Sequence, residues 1–478
     1  MGNEAKYKIL VLILVIVAFS MSCDTKEESI QTQFPTITKY TIPLYGIRAE
    51  QKAGKMQTLA GQLVIKGKGK ITWQTDIPSE GDYEVTIGYS VNYSGGQAMV
   101  SSNSTQVTDS LPITSGVYSE TGQWYMNNFE RRKLNGMLNL SKGINSISLS
   151  IDPPSYDSTV VLFTLELNRL MDKKNILEEV GRARQSRLDT DWFAKAGYGA
   201  MFHWTSRCIP QEGEPKSYHQ AVDDFDVKAF VDMVEQIGAS YIIFTANHAD
   251  PHFPAPLTNW EKTHPGWTTK RDLIMELADG LNERDIKLFL YFATHVYAKF
   301  EEVDEKEFTE INHRLIAEVG SRYKNKVAGY WFDGWYQCYE RHRNFDFEKF
   351  YQNCKTGNPE RHVTLNSWLY PIVSEWQDYW AGEIYSLGVP PSASIIKKGP
   401  ARGLQYHALL ALERGWVLTD KNKDLITPQF EIDALINFIK SCRNKGPVTL
   451  NLKIYQDGSI PEESWAVMQK VKQAIRGD

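Results

Sequence analysis

Between Tyr198 and Asp333 the chain alternates apolar runs of strand length with stretches of helical periodicity, and this alternation restricts the fold more than any other feature. The apolar runs are 198–203, 240–245, 286–292 and 327–332, and the helical stretches are 227–237, 273–284 and 306–319. Further runs at 362–367 and 448–452 continue the series. Four βα repeats in succession predict an α/β protein with a (β/α)8-like barrel over residues 196–478. A doubly wound open sheet is the alternative, but no Gly-rich phosphate loop opens any of the helices.

The region upstream has another period. Short alternating runs separated by turn residues, such as 70–75, 81–89, 136–141 and 145–151, predict an all-β sandwich over residues 37–170. A polar stretch with helical spacing at Ile176, Leu177, Val180 and Arg184 predicts a helical linker over 171–195. At the N-terminus, Lys6 and Lys8 precede eleven apolar residues and then Ser20-Met-Ser-Cys23, the pattern of an export signal over residues 1–23. Small residues before a cysteine resemble a bacterial lipoprotein processing site, with Cys23 as the lipidated residue and the polar segment 24–36 as a tether. An exported protein held at the outer membrane or cell surface, or on the periplasmic side, is the expectation, and an ordinary cleaved signal is the alternative.

The chain has 478 residues, 42% of them hydrophobic and 23% charged, with a net charge of −5. That charge offers no basic surface to a nucleic acid. Cys208, Cys338, Cys354 and Cys442 are irregularly spaced, without metal-ligand or redox spacing, and are read as buried free thiols. The chain is rich in aromatics, with 13 Trp and 24 Tyr, flat apolar surfaces of the kind that sugar pockets and protein cores both use.

In a barrel of this kind the chemistry sits at the C-terminal ends of the strands. The run 327–332 ends in Asp333-Gly334, a sharp turn that leaves one carboxylate at a strand tip, so Asp333 is the candidate nucleophile. His203, Trp204, Asn247, His248, His295, Asn366 and Glu383 fall at or just beyond other strand ends, and Trp331 lies beside Asp333. Imidazoles and amides bond hydroxyls, and Trp faces stack on C–H surfaces, so the set suits a neutral polyhydroxylated substrate. Cleaving a glycosidic bond needs a second carboxyl that carries a proton. Glu383, which follows Trp376, Tyr379 and Trp380, is favoured over Glu375 for that role, because burial beside aromatic rings raises a carboxyl pKa.

The stretch from Tyr198 to the C-terminus resembles the α-L-fucosidases of glycoside hydrolase family 29. The matching pieces are Met201-Phe-His-Trp204, Asp224-Phe-Asp-Val-Lys-Ala-Phe230, 237–245, Asn247-His-Ala-Asp250, 270–277, Tyr330-Trp-Phe-Asp-Gly334 and 444–452 followed by Asp457-Gly-Ser-Ile-Pro461. The resemblance implies a retaining exo-glycosidase of terminal α-L-fucosides with no cofactor, Asp333 as nucleophile, Glu383 near the acid/base position, and His203, Trp204 and His248 lining the sugar pocket. The chain departs from the family pattern at Asn247, where a His is usual, and at Asn366-Ser-Trp368, where an Arg is common; Arg361 or His295 is a candidate replacement. These departures keep two alternatives open, the same chemistry on another α-L-sugar such as α-L-galactose, and a non-catalytic glycan-binding surface lipoprotein. The pieces around Trp73, 78–83, 121–124 and 138–145 resemble β-sandwich carbohydrate-binding modules, with Trp124 and Tyr125 as exposed-aromatic candidates.

Overall fold

The computed structural model describes residues 37–477 except 60–61, 92, 94, 104, 115–128, 369–371, 398–400 and 423–424. The export signal with Cys23, and the aromatic pair Trp124 and Tyr125, lie outside the described residues.

The N-terminal part is built of β1 (Thr41–Tyr45), β2 (Gln51–Leu59), β3 (Gln62–Ile77), β4 (Gly81–Ser90), β5 (Gly96–Ser102), β6 (Thr105–Leu111), β7 (Glu130–Leu140), β8 (Gly143–Asp152) and β9 (Thr159–Arg169). Its two layers are one antiparallel sheet, in the order β6-β5-β8-β3-β9-β4-β7, folded over along β3. Strand β3 is 16 residues long, pairing with β9 through Leu63–Lys66 and with β8 through Gly69–Ile77. Inward alternation along it buries Ile65, Ile71, Trp73 and Ile77 among Tyr83, Val85, Leu149 and Leu167. The linker expectation is refined: the helix Lys173–Gln185 buries Ile176, Glu179 and Ala183, whereas Leu177 is exposed.

The C-terminal part contains β10 (Tyr198–Phe202), β11 (Tyr241–Thr245), β12 (Lys287–Ala293), β13 (Gly329–Asp333), β14 (His362–Leu365), β15 (Ala408–Ala411) and β16 (Val448–Leu452), all parallel, in the order β14-β13-β12-β11-β10-β16-β15. Seven strands leave a gap between β14 and β15, and the irregular segment 378–384 fills it. On one side Asp378 N donates to Val363 O and Val363 N to Asp378 Oδ2; on the other, Trp380 N donates to Gln405 O and Leu409 N to Gly382 O. The barrel is therefore closed, with an eighth position too irregular to count as a strand. Asp378 anchors this segment, also accepting from Tyr351 Oη and Lys355 Nζ. Gly382 has φ +73, and a Cβ there would run into His407 O, so only glycine lets the segment pass so close to β15.

Helices cover the strands and start where side-chain oxygens satisfy the first free N–H groups. Asp226 caps Val227–Gln236, Asp272 caps Leu273–Asn282, Asp304 caps Glu305–Tyr323 and Asp346 caps Phe347–Cys354.

The period of two along each strand sorts its side chains into two cores. Phe202, Phe244, Leu290, Phe332 and Leu450 face the helices. Met201, Tyr241, Ile243, Phe289, Tyr291, Trp331, Tyr379 and Leu409 fill the barrel interior. At the N-terminal end Phe193, on the short helix Asp191–Lys195, plugs this interior, with ring centroids 5.3 Å from Tyr241, 5.6 Å from Phe289 and 4.9 Å from Tyr379. The interior is sealed at this end.

The two parts share a packed interface. Tyr45 meets Tyr339 edge-on at 5.9 Å, and Arg131, buried against Glu166 at 3.0 Å, donates from Nη1 to Ile372 O at 2.9 Å. A strand of the sandwich thus holds the loop that follows β14.

Truncating the plug tests the sealed floor. Phe193→Ala is expected to lower unfolding free energy by about 3–5 kcal/mol, read by denaturant titration, because a large ring leaves a cavity that rigid strands cannot fill.

Candidate active site

Extending the inward parity past the last apolar layer gives the upper rim of the barrel. Two residues beyond Met201 comes His203, beyond Trp331 comes Asp333, beyond Thr364 comes Asn366, beyond Ala381 comes Glu383, and beyond Thr449 comes Asn451. The same strand periodicity that builds the core therefore converges five polar side chains on one end.

Asp333 is half-buried and accepts three hydrogen bonds. Oδ1 receives Gly334 N at 2.8 Å and Asn366 Nδ2 at 2.9 Å, and Oδ2 receives Tyr291 Oη at 2.7 Å. Asn366 Nδ2 also donates to Glu383 Oε2 at 2.7 Å. One nitrogen thus spans both carboxyl groups, and Asp333 Oδ1 and Glu383 Oε2 lie no farther apart than these two bonds placed end to end. The amide orientation is fixed from its other end, where Oδ1 accepts Trp368 N at 2.9 Å. Burial, and next the charge of Asp333, push the Glu383 carboxyl well above the usual carboxylate range. Gly334 has φ +84 and lies against His295, where any Cβ would overlap Nδ1, so the turn at Asp333 requires glycine on two grounds.

His203 is buried in the same rim layer, beside Tyr291. Asn451 donates from Nδ2 to Trp416 O at 3.1 Å, which turns its Oδ1 toward His203 Nδ1 at 2.6 Å. Nδ1 must therefore carry the proton and Nε2 is left as an acceptor. Burial and then the neighbouring His248 hold His203 well below its ordinary pKa, so the ring is neutral. Its ring packs against Tyr291 at 4.9 Å, His248 at 5.1 Å and Trp416 at 5.4 Å. His248 and His295 are also lowered, chiefly by burial, although Asp333 pulls both the other way. The Nδ1 atoms of His248 and His295 are buried and find no partner among the described residues.

Other sequence candidates lie elsewhere. Trp204 falls on the outward parity and is packed between Phe225 and Phe244, with Nε1 bonded to Gln456 O, so it belongs to the core and not to the pocket. Trp331 is one layer below the rim, stacked on Tyr291 at 5.3 Å with Nε1 on Ala381 O, and so supports the pocket floor without reaching it. Both ends of the Asn247 amide are bonded to the backbone of Ala293 at 3.2 Å, which ties β11 to β12 and fixes the amide's orientation, with one N–H of Nδ2 given to Ala293 O. Glu375 is buried between Arg184 and Arg187 and is ion-paired with both, so its carboxyl is engaged away from Asp333. Arg361 sits at the opposite end of the barrel, bonded to the carbonyls of Val327, Cys354 and Thr356, and cannot stand in for a pocket arginine.

Tyr291, Tyr385, Asn451 and Trp416 were not singled out from the sequence. Tyr291 lay within an apolar run, where its parity with Ala293 is the signal that turns it inward. Trp416 lies in a loop with no period to read.

The profile of the family described as α-L-fucosidase matches residues 216–475. This chain belongs to the α-L-fucosidase family. A curated Caenorhabditis elegans protein, named as a candidate α-L-fucosidase, is 25% identical over 117 residues, which is 23% of this chain and 24% of that protein's length. Among solved structures, a glycoside hydrolase family 29 α-L-fucosidase from Bacteroides thetaiotaomicron is 19% identical with a TM-score of 0.47, covering 61% of this chain and 74% of its own. An α-L-fucosidase from Lactobacillus casei, solved with α-L-fucose product, is 17% identical with a TM-score of 0.43, covering 60% of this chain and 99% of its own.

The two glutamates of this α-L-fucosidase family member are expected to respond oppositely to neutralisation. Glu375→Gln strands Arg187 in the interior and should lower unfolding free energy by about 2–4 kcal/mol. Glu383→Gln removes a carboxyl crowded against Asp333 and should leave stability unchanged or raise it. Thermal denaturation of both variants beside the parent checks the pair.

Proposed function

We propose that this protein is an exported, retaining exo-glycosidase that hydrolyses terminal α-L-fucosides of glycans, with Asp333 as nucleophile and Glu383 as acid/base. The observation that carries the reading is the shared Asn366 nitrogen. Two bonds of 2.9 and 2.7 Å keep the carboxyl oxygens inside the separation of about 6.5–9.5 Å that inverting enzymes need for a water, and suit the roughly 5–5.5 Å of retaining enzymes.

In the first step an Asp333 oxygen bonds to the anomeric carbon as the glycosidic C–O bond breaks, and the Glu383 proton passes to the departing oxygen. Asp333 Oδ2 carries one donor against two on Oδ1, which leaves it the freer lone pair. In the second step Glu383, now a carboxylate, takes a proton from water, the water oxygen bonds to the same carbon, and Asp333 departs. The elevated pKa of Glu383 supplies the proton for the first step. Tyr291 donates to Asp333 throughout and holds it facing the sugar. Neutral His203 offers an acceptor, and His248 and His295 offer unpartnered ring nitrogens, to sugar hydroxyls.

A second carboxyl beside Asp333 favours turnover over a binding role. Export and tethering through a lipidated Cys23 rest on the N-terminal sequence pattern.

Hydrolysis of a chromogenic α-L-fucoside tests the assignment. Asp333→Ala should reduce turnover to background, and Glu383→Ala should regain it with azide, which attacks without needing a general base. No turnover of any α-L-sugar by the parent overturns the proposal. The pH profile follows the sign of the Glu383 shift: the acid form is the active one, so kcat/KM is retained at pH values where an ordinary glutamate is ionised and falls as pH rises through the Glu383 pKa. Glu383→Gln should lose this alkaline limb on a substrate whose leaving group needs no proton.

A further inference from the structure

Glu383 defines the side of the site where the leaving group lies, because its proton ends on the leaving oxygen. Three aromatic residues gather on that side. Tyr385 donates from Oη to Glu383 Oε1 at 3.2 Å. Its ring stands at 87° to the Trp368 indole with centroids 6.0 Å apart, and Trp368 in turn lies at 44° to Tyr336, also at 6.0 Å. Tyr385 is 54% exposed, while Trp368 and Tyr336 are half-buried, so the cluster presents apolar ring surface to solvent at the mouth of the pocket.

Trp368 is also held in a costly conformation. Its φ is +53, a region that bulky residues seldom occupy and that clusters at functional sites. The restraint is the hydrogen bond from its N–H to Asn366 Oδ1, at 2.9 Å. The amide that spans the two carboxyl groups therefore also sets the indole, and the ring is indexed to the reacting pair by a single side chain.

We propose that Trp368 and Tyr385 form the leaving-group subsite, a right-angled corner that takes a pyranose by stacking its C–H face on the indole. The enzyme then favours α-L-fucose attached to another sugar over fucose attached to a small alcohol. This rests on the assignment of Asp333 and Glu383, since they decide which side is the leaving side. A perpendicular pair of rings fits one sugar residue, with the indole as its floor and the phenol as its wall.

The test compares kcat/KM for a disaccharide of α-L-fucose on galactose with that for α-L-fucosyl fluoride, whose leaving atom occupies no subsite and needs little acid assistance. Trp368→Gly suits the positive φ and removes the ring. It is expected to lower the disaccharide value roughly tenfold or more beyond any fall in the fluoride value, the size of one lost aromatic contact. Trp368→Phe should recover part of the difference. Equal falls for both substrates, or no fall for either, overturn the subsite. If the parent does not turn over the fluoride, the glycosidase reading fails, and calorimetric binding of the intact disaccharide decides the subsite instead. Affinity weakened by Trp368→Gly supports it, and unchanged affinity overturns it.

Discussion

One amide nitrogen, Asn366 Nδ2, stands between the two carboxyl groups on which the site depends, and the chemistry follows from where it holds them. Two carboxyl groups this close in a poorly solvated rim repel when both are charged, so one retains its proton. Glu383 is the one raised, first by its burial and next by the charge of Asp333, against the pull of its donors Asn366 and Tyr385. The two carboxyl groups are thereby distinguished by their surroundings.

That arrangement depends in turn on an irregular piece of chain. Glu383 is delivered by the segment 378–384, which closes the barrel without forming a regular strand. Asp378 fixes one end of the segment to β14, and the passage of Gly382 beneath His407 O fixes the other. The sandwich reaches the same region, since Arg131 bonds Ile372 O in the loop between Asn366 and this segment. The N-terminal part thus braces the loop that runs from Asn366 to this segment.

The parallel strands β10 to β14 and β16, and the helices over Val227–Gln236, Leu273–Asn282 and Glu305–Tyr323, were legible because the strands are short apolar runs and the helices carry helical periodicity, whereas β15 (Ala408–Ala411) was not read as a strand. Asp333 was legible for the same reason, being the first polar residue after such a run. Trp204 was misplaced as a pocket residue because proximity to a strand end does not reveal which face a side chain takes; counting parity from Met201 puts Trp204 outward, whereas Asn247 keeps the inward parity of Tyr241 and Ile243 and is engaged by the Ala293 backbone. Glu375 and Glu383 differ in sequence only by eight positions, and what separates them is Arg184, in the last turn of a helix almost 200 residues earlier, and Arg187 just beyond that helix, a contact no local pattern encodes. Trp368 read as a departure from the family pattern, and the meaning of the change appeared only once its backbone was seen bound to Asn366.

The most direct test of the account is where a fucosyl group becomes attached when turnover is stalled. The protein would be treated with 2-deoxy-2-fluoro-α-L-fucosyl fluoride and the modified peptide located by mass spectrometry. The account predicts a single fluorofucosyl ester on Asp333, absent from Asp333→Ala. An ester on Glu383 or any other carboxylate, or hydrolysis of α-L-fucosides with inverted product and no ester at all, would contradict it.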